Sequence, residues 1–412
     1  MSKLLKFLEN AFVSISLFFF SQAFFVLVFG QESESSPDKD SALLRFIGLL
    51  IYFVNFFLLV FRWQETFYAI KKNIWILLIV TLAIVSVSWS SVPDIAFRKI
   101  FALVGSTIFA TYFGSHYSFD SQLKLMGWTY GISIILNYMF VFLLPEYGVM
   151  NTDAIVGAWQ GIYLHKNGLG GNMFISFMTF YYLAQTAKKY KFVMQLCCLL
   201  SVILVYYSDS ATSLLSVIIV FIIFQNFKYL SLKSKTGVLL ILIFLLLAFG
   251  LLSIIAINFN AFLDANNRDI TLSGRTILWG ILWKFMREKF WFGYGYGSFF
   301  SASHQETELL WQVQDWGPVH AHNGYIQLWL NIGFVGCFIF VVGYFKNIGK
   351  ALFNYLISKD LRMLWIFSFF SYTVFFNFTE VSFLTINSIN WIISMAFIYS
   401  LNLTKVNTKF NE

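Results

Sequence analysis

The amino-acid sequence predicts an all-α fold, a polytopic membrane helix bundle of about twelve transmembrane helices. Its 412 residues are 58% hydrophobic and only 12% charged, which is far from the composition of soluble domains. Apolar runs of roughly 17 to 25 residues recur along the chain, each long enough as a helix to cross a bilayer. The polar and apolar alternation of barrel strands is absent, so spanning segments must satisfy their backbone hydrogen bonds as helices.

About twelve spans are predicted in chain order. They lie near residues 8–30, 43–61, 73–91, 97–114, 122–144, 168–187, 192–208, 211–227, 236–257, 322–345, 361–380 and 383–402. The first run is longer than the apolar part of a signal peptide, so we interpret it as an uncleaved anchor. The sequence therefore predicts one membrane domain, residues 1–412, with a large loop at 258–321 between the ninth and tenth helices.

The positions of lysine and arginine predict the orientation, because cationic loops resist translocation. The net charge of +8 arises in short loops between the spans, so nucleic acid is not an expected partner. Inside loops would hold Arg62, Lys71, Lys72, Lys188, Lys189, Lys191, Lys228, Lys233, Lys235, Lys346, Lys350, Lys359 and Arg362. Both termini would then be cytoplasmic, and residues 31–40, 145–166 and 258–321 would face outward.

The outward loop 258–321 contains a predicted helix, Arg275–Phe290. Its apolar residues recur at three- and four-residue spacing, which is typical of a helix with one apolar face. We expect this helix to lie on the membrane surface. The glycine-rich run Gly293–Gly297 follows it and is predicted to be flexible backbone.

Histidines gather on the predicted outward side, where His320, His322 and Asn323 lie at the junction of the loop 258–321 and the tenth span. A neutral imidazole there could take a proton from an attacking hydroxyl near pH 7, as a general base does. Two alternatives remain open from position alone. The histidines could only cap or anchor the helix, or both could bind a metal ion together with Asp315.

Two further polar groups lie on the same side. Arg275 is accompanied by other outward basic residues, and its planar guanidinium could hold a pyrophosphate. The remaining basic residues of that loop, Lys284, Arg287 and Lys289, would more simply anchor lipid headgroups. Another group combines Trp159 and the run 165–168 with Arg98. Its aromatic rings suit sugar faces, but composition alone favours an ordinary interfacial belt.

Other chemistries lack support in the sequence. The cysteines Cys197, Cys198 and Cys337 lie in apolar runs and show no zinc or disulfide spacing. The paired aspartates that a nucleotide-sugar transferase would need on the cytoplasmic side are missing, because Asp38 and Asp40 lie in an outward loop. A Gly-rich phosphate loop is also missing.

The motifs resemble those of the O-antigen ligase and polymerase family, particularly its exopolysaccharide-polymerase branch. His322-Asn323 is followed nine residues later by Gly333-Phe334-Val335-Gly336, as in that family. Further similarities are Ser273-Gly274-Arg275-Thr276 with the run 293–297, Ala158–Gly161 with His165–Gly170, and Asp209–Ser213. Two positions depart from the family pattern: Ser273 replaces the commoner Thr, and Gln160 stands where a basic residue is common.

The resemblance implies a metal-independent, inverting glycosyltransferase without a cofactor, acting on the periplasmic face of the bacterial inner membrane. Its expected partners are membrane lipids, a polyprenyl-pyrophosphate-linked oligosaccharide donor, a saccharide or lipid-linked saccharide acceptor and, in some cases, a chain-length regulator. The implied catalytic residues are His322 as general base and Arg275 as pyrophosphate ligand. The substrate-binding candidates are Arg98, Trp159, His165, Lys166, Asn167, His320 and Asn323.

Three functions stay open at this point. A surface-polysaccharide polymerase, which extends glycan on its lipid carrier, fits the extended group around Trp159 best. An O-antigen ligase would transfer the glycan to the lipid A core instead. A transporter or glycan flippase would share the plan of many helices, but it would show internal repeats and polar residues at the bilayer midplane.

Overall fold

A computed structural model describes residues 3–30, 41–152, 155–227, 275–301, 307, 310, 311 and 317–403 of the chain. The helices in these ranges are α1 (Lys3–Phe20), α2 (Phe25–Phe29), α3 (Ala42–Phe61), α4 (Trp63–Lys72), α5 (Ile74–Val85), α6 (Pro93–His116), α7 (Phe119–Leu143), α8 (Pro145–Gly148), α9 (Lys166–Thr186), α10 (Lys191–Tyr207), α11 (Ala211–Phe227), α12 (Arg275–Glu288), α13 (Gly324–Ser358), α14 (Leu361–Phe376) and α15 (Ile389–Leu403). A 3-10 turn, Ser86–Trp89, follows α5. The predicted all-α class is therefore confirmed.

One small hairpin, β1 (Val149–Thr152) with β2 (Ile155–Trp159), is an antiparallel pair that the sequence analysis did not predict. It lies in the predicted outward stretch 145–166. Several predictions fall outside the described residues, namely the span 236–257, the acidic loop 31–40 and most of the loop 258–321.

The length and composition of several helices make the chain a multi-pass membrane protein. Within the described residues, four helices are long and apolar enough to cross a bilayer: α3, α6, α7 and α13. The pair of α4 with α5 and its 3-10 turn passes the same test jointly, but it is bent by 90°. Four shorter apolar helices of 10–17 residues are α10, α11, α14 and α15. The predicted total of about twelve spans stays a prediction.

The first predicted span, residues 8–30, is broken after Phe20. Gln22 and Phe24 adopt positive φ angles of 61° and 66°, and a new short helix starts at Phe25. The turn is held from outside α1, because the Phe24 amide donates to the Ile162 carbonyl at 2.7 Å. A hydrogen bond from another part of the chain thus replaces the helical one that continuation would have made.

Helix α13 is also broken, at Gly333, whose φ is 68°. The break frees backbone groups that the segment after α12 satisfies. Tyr294 donates its amide to the Leu330 carbonyl at 2.7 Å, and Phe334 donates to the Phe290 carbonyl at 2.8 Å. The glycine-rich run 293–297 is thereby fixed against α13 instead of being flexible, so that sequence-based expectation was wrong.

Helix α12 confirms the helix predicted from Arg275 onward. One side packs into a small apolar core, with Leu278, Leu282 and Met286 all buried against Phe299 and Leu330. On the other side, Ile277 and Trp283 are half exposed. This amphipathic arrangement joins α12 to the first turns of α13.

The connection between α14 and α15 differs most from the prediction. The sequence predicts spans at 361–380 and 383–402 with two residues between them, whereas residues 377–388 form no helix. Asn377 organises this segment. Its carbonyl accepts from the Gly324 amide at 2.8 Å, and its side-chain oxygen accepts from two later backbone amides. The segment is thus bound to the start of α13.

Candidate active site

Four segments that are distant in sequence meet at one end of the bundle: the first turn of α9, the start of α12, the loop before α13 and the loop after α14. Arg275 donates from Nη1 to the Thr379 carbonyl at 2.6 Å, and its Nη2 lies 3.4 Å from Glu380 Oε1. Asn167 Nδ2 donates to the same Glu380 oxygen at 3.1 Å. Glu380 therefore joins two residues predicted from the sequence to contact substrate.

Glu380 is a largely buried carboxylate, with its side chain 14% exposed, and it is the one charged residue in the sequence between Arg362 and Lys405. Burial raises its pKa, and the positive charge of Arg275 opposes that rise. An ionised carboxylate inside a membrane protein is costly unless a cation pairs with it, and Arg275 supplies that partner. The pair fixes the guanidinium at the start of α12.

His320 and His322 lie side by side, with ring centroids 4.0 Å apart. His322 adopts a positive φ of 46°, which is uncommon for a residue with a side chain and is often found at functional sites. The residue between the two histidines is held from both sides. Ala321 donates its amide to Gln327 Oε1 at 3.0 Å and accepts from Trp279 Nε1 at 2.8 Å.

Three imidazoles share the electrostatic field of Arg275. Burial and the neighbouring cations Lys166 and Arg275 lower the pKa of His165 to about 4. Burial, Arg275 and His165 lower the pKa of His320 to about 4. Burial, with His320, Arg275 and His165, lowers the pKa of His322 to about 2. All three rings are therefore neutral near pH 7.

Two of these rings have a defined hydrogen-bonding state. His165 Nδ1 accepts the Asn167 amide at 3.1 Å, and His320 Nδ1 accepts the His322 amide at 3.2 Å. A neutral imidazole carries one proton, so in both rings it resides on Nε2. These two histidines can donate from Nε2 to an oxyanion or a sugar hydroxyl. Because their Nδ1 atoms already accept backbone amides, neither ring can take up a proton there without losing that hydrogen bond.

The turn between α10 and α11 borders the same group. Lys166 Nζ donates to Asp209 Oδ2 at 2.8 Å, and this carboxylate is 78% exposed. Thr212 and Thr379 share a hydroxyl hydrogen bond of 3.1 Å. The Lys166 ammonium is therefore paired with a solvent-facing carboxylate that an anionic ligand could replace.

Three of the predicted site residues have surroundings that do not include the Arg275–Glu380 pair. Asn323 caps α13, because its Oδ1 accepts from the amides of Tyr325 and Ile326 at 3.0 and 3.1 Å. Trp159 stacks on Tyr207 with ring centroids 4.4 Å apart. Arg98 is exposed near the start of α6. A role in substrate binding stays a prediction for each of them.

Lys99, the neighbour of Arg98, donates from Nζ to the Gly297 carbonyl at 3.0 Å. That bond links α6 to the glycine-rich run that supports α13. Asp315, the third ligand of the alternative metal site, lies outside the described residues.

Sequence reasoning missed Glu380 and the loop that carries it. The available signal was an acidic residue at the end of an apolar run, since an ionisable residue in a membrane segment indicates function by default. It was overlooked because the predicted span 361–380 placed Glu380 at a helix end, where charge is unremarkable.

Part of the chain is similar to a known protein family. Residues 196–341 match the family model described as O-Antigen ligase. The match covers about a third of the 412 residues and confirms the resemblance predicted from the sequence. The matched region includes Asp209, Arg275, His320 and His322, and it ends before Glu380. A search of curated proteins finds no match. The match supports a membrane ligase or polymerase that acts on lipid-linked saccharides.

Proposed function

We propose that the protein is a surface-polysaccharide polymerase, which transfers glycan from a polyprenyl-pyrophosphate carrier to a saccharide acceptor. The observation that carries the proposal is the meeting of His322 and Arg275 at one end of the bundle, where burial, His320 and Arg275 together lower the imidazole pKa. Metal-independent transfer of this kind needs a cationic anchor for the departing pyrophosphate and a neutral base near it.

The pyrophosphate of the donor binds between Arg275 and Lys166. Arg275 is held by Thr379 and Glu380, so its remaining guanidinium N–H groups can donate to an anion without reorganisation of the side chain. Lys166 exchanges the exposed Asp209 carboxylate for phosphate oxygens. The Nε2 protons of His165 and His320 add two neutral donors to the same anion. Arg98 is a further cationic ligand, and Trp159 offers a ring face to the sugar.

His322 accepts the proton of the attacking hydroxyl. Its pKa of about 2 in the free protein makes the ring neutral but weakly basic. Bound pyrophosphate brings negative charge that opposes the field of Arg275, and it thereby raises the pKa of His322 toward the working pH. Donor binding thus makes His322 a stronger base.

The reaction is a single displacement. The acceptor oxygen forms a bond to the anomeric carbon while its proton passes to His322. The bond from that carbon to the phosphate oxygen breaks, and polyprenyl pyrophosphate leaves with both electrons. Attack from the face opposite the leaving group inverts the anomeric configuration. The energy comes from the pyrophosphate linkage of the donor.

The proposed orientation has the site in the periplasm and both termini in the cytoplasm. Helix α9 starts at Lys166 in the site and ends before the basic run Lys188, Lys189 and Lys191. Since basic loops favour the cytoplasmic side of the bacterial inner membrane, the opposite end of the bundle faces outward.

The test uses purified protein with a defined lipid-linked oligosaccharide and product analysis by mass spectrometry. We expect longer glycan on the lipid carrier from the wild type. His322→Ala and Arg275→Ala should each lower turnover by about 100-fold or more. The control Arg362→Ala removes an arginine from the other end of α14. Wild-type turnover in both site variants would refute the assignment, and transfer to lipid A core alone would identify a ligase.

A further inference from the structure

The end of the bundle opposite His322 contains an open cleft of about 1360 Å³ that the proposed transfer does not use. Helix α9 connects the two ends. It starts at Lys166 in the candidate site, and Tyr182, 16 residues later, donates to Asp120 in the first turn of α7. That separation is about 24 Å along a helix. Ser121 and Lys124 of the same part of α7 line the cleft.

The walls of the cleft combine positive charge with aromatic surface. Lys6 of α1, Lys71 of α4 and Lys124 of α7 line it from three helices, and all three are exposed. Trp63 and Trp128 line it as well and are 62% and 72% exposed. Within the described residues, none of the three lysines forms an ion pair with a carboxylate.

The acidic residue beneath the cleft is already neutralised. Glu9 is 8% exposed at its side chain, and Arg62 Nη1 lies 2.8 Å from its Oε1. Tyr112 donates a hydrogen bond to the same oxygen, and His116 Nε2 lies 3.6 Å from it. Glu65 is the one lining carboxylate among the described residues, and its Oε2 lies 3.8 Å from His116 Nδ1. Three lysines and a single acidic side chain thus line the cleft, which leaves it with a net positive charge.

The geometry of α4 relates this cleft to a membrane surface. Helix α4 is bent by 90° from α5, so if α5 runs along the bilayer normal, α4 runs along the membrane plane. Its sequence places Trp63, Phe67 and Tyr68 beside Lys71 and Lys72. Aromatic residues next to lysines are typical of helices at the boundary between headgroups and acyl chains.

We infer that this cleft binds an anionic phospholipid, with its phosphate between Lys6, Lys71 and Lys124 and its acyl chains against Trp63 and Trp128. The exposed indole rings would add no binding free energy for a soluble phosphate compound. The three lysines would add little for a zwitterionic lipid. Lysines and indole rings together therefore favour an amphiphile with net negative charge.

The experiment counts lipids retained by the purified protein in native mass spectrometry, with phosphatidylglycerol or phosphatidylcholine added at equal concentrations. The test variant is Lys6→Gln/Lys71→Gln/Lys124→Gln. The control, Lys188→Gln/Lys189→Gln/Lys191→Gln, removes three exposed lysines from the same end of the bundle outside the cleft. The single variant Lys124→Gln is included in case the triple variant does not fold.

We expect the wild type and the control to retain one phosphatidylglycerol preferentially. The triple variant should bind it at least tenfold more weakly, since each lysine near a membrane surface changes lipid affinity about fivefold. Lys124→Gln alone should weaken binding about fivefold. Equal retention by the variants and the wild type would overturn the inference. So would equal binding of phosphatidylcholine, or displacement of the lipid by millimolar glycerol phosphate. The assay contains no glycan donor, so its result is independent of the proposed transfer.

Discussion

The guanidinium of Arg275 and the carboxylate of Glu380 form an ion pair, with Nη2 3.4 Å from Oε1. This contact joins the start of α12 to the loop after α14, more than a hundred residues further along the chain. Because the same carboxylate oxygen also accepts from Asn167, one acidic side chain positions groups from two other segments of the site. The candidate site therefore depends on a residue that need not touch the reacting atoms.

The substitution Glu380→Gln tests that dependence. The new amide keeps an oxygen for Asn167 but loses the charge that pairs with Arg275, so the guanidinium should shift from its place. We expect glycan transfer to fall by up to about 100-fold, because misplacement of a catalytic group by about 1 Å has an effect of that size. Steady-state kinetics with lipid-linked donor would measure it, and the loss should appear in both kcat and KM.

The matched control for that variant is Asp360→Asn. Asp360 also pairs with an arginine, since Arg362 Nη2 lies 2.7 Å from its Oδ2, but it precedes α14 at the other end of the bundle. Its replacement should leave transfer unchanged. Equal losses in the two variants would mean that general destabilisation, and not the position of Arg275, explains the effect.

The hydrogen bond from the His322 amide to His320 Nδ1 predicts which substitute can serve at position 320. Glutamine places an N–H donor near the position of Nε2, whereas asparagine offers an oxygen near Nδ1 but no donor further out. His320→Gln should therefore retain more activity than His320→Asn, by about tenfold. Initial rates with purified variants would measure this. At His322, which is proposed to take up a proton, neither amide should restore activity. Better rescue by asparagine at 320 would contradict the assigned donor.

The fold of this protein was predictable where one physical rule dominates. Apolar runs must become helices in lipid, and α3, α6 and α7 lie close to their predicted ranges. The rule fails where the backbone finds partners outside its own helix. The predicted first span ends at Phe20 because Ile162 accepts the Phe24 amide, and α13 breaks at Gly333 because the segment after α12 supplies hydrogen bonds. Local hydropathy carries no information about such distant partners.

In the candidate site, too, some residues could be predicted from local sequence and others depend on distant partners. Arg275, His165 and His322 could be singled out because charged or titratable residues are rare in this chain and stand in recognisable motifs. Glu380 and the hydrogen-bonding state of His320 depend on which segments meet, and that requires the three-dimensional arrangement. The family match ends at residue 341, so it gave no indication of the loop after α14.

The break in α13 predicts a strong effect for one glycine and none for another in the same helix. A Cβ at Gly333 would lie 2.2 Å from the Trp291 carbonyl oxygen, and its φ is positive. Gly333→Ala should therefore destabilise the protein by more than about 2 kcal/mol. Gly349 is exposed and helical with open space around it, so Gly349→Ala should be neutral or stabilise by up to about 1 kcal/mol.

Thermal unfolding in detergent, followed by size-exclusion chromatography, would compare the two glycine variants. Equal midpoints for Gly333→Ala and the wild type would show that the positive φ at the break is not required. A much lower unfolding midpoint in Gly349→Ala would show instead that α13 does not tolerate an added methyl group at an exposed position either. The loss at Gly333 would then not be specific to the break.

The three neutral histidines predict that the protein loses stability in acid. In the folded state the pKa values of His165 and His320 lie at about 4 and that of His322 at about 2. In the unfolded chain each lies near 6.5. Between about pH 6.5 and pH 4 the unfolded chain therefore binds protons that the folded protein does not. Each ring should contribute up to about 1.4 kcal/mol of lost stability per pH unit.

The unfolding midpoint of the wild type should accordingly fall as the pH is lowered from 7.5 to 4.5. His320→Gln removes one of the three titrating rings and keeps a side-chain donor, so its midpoint should fall less steeply than that of the wild type. Above pH 7 the unfolding midpoints of the two proteins should change with pH in the same way, because these imidazoles are neutral in both the folded and the unfolded state. A midpoint that rose on acidification, or an identical slope in the variant, would mean that these rings are not held neutral in the folded protein.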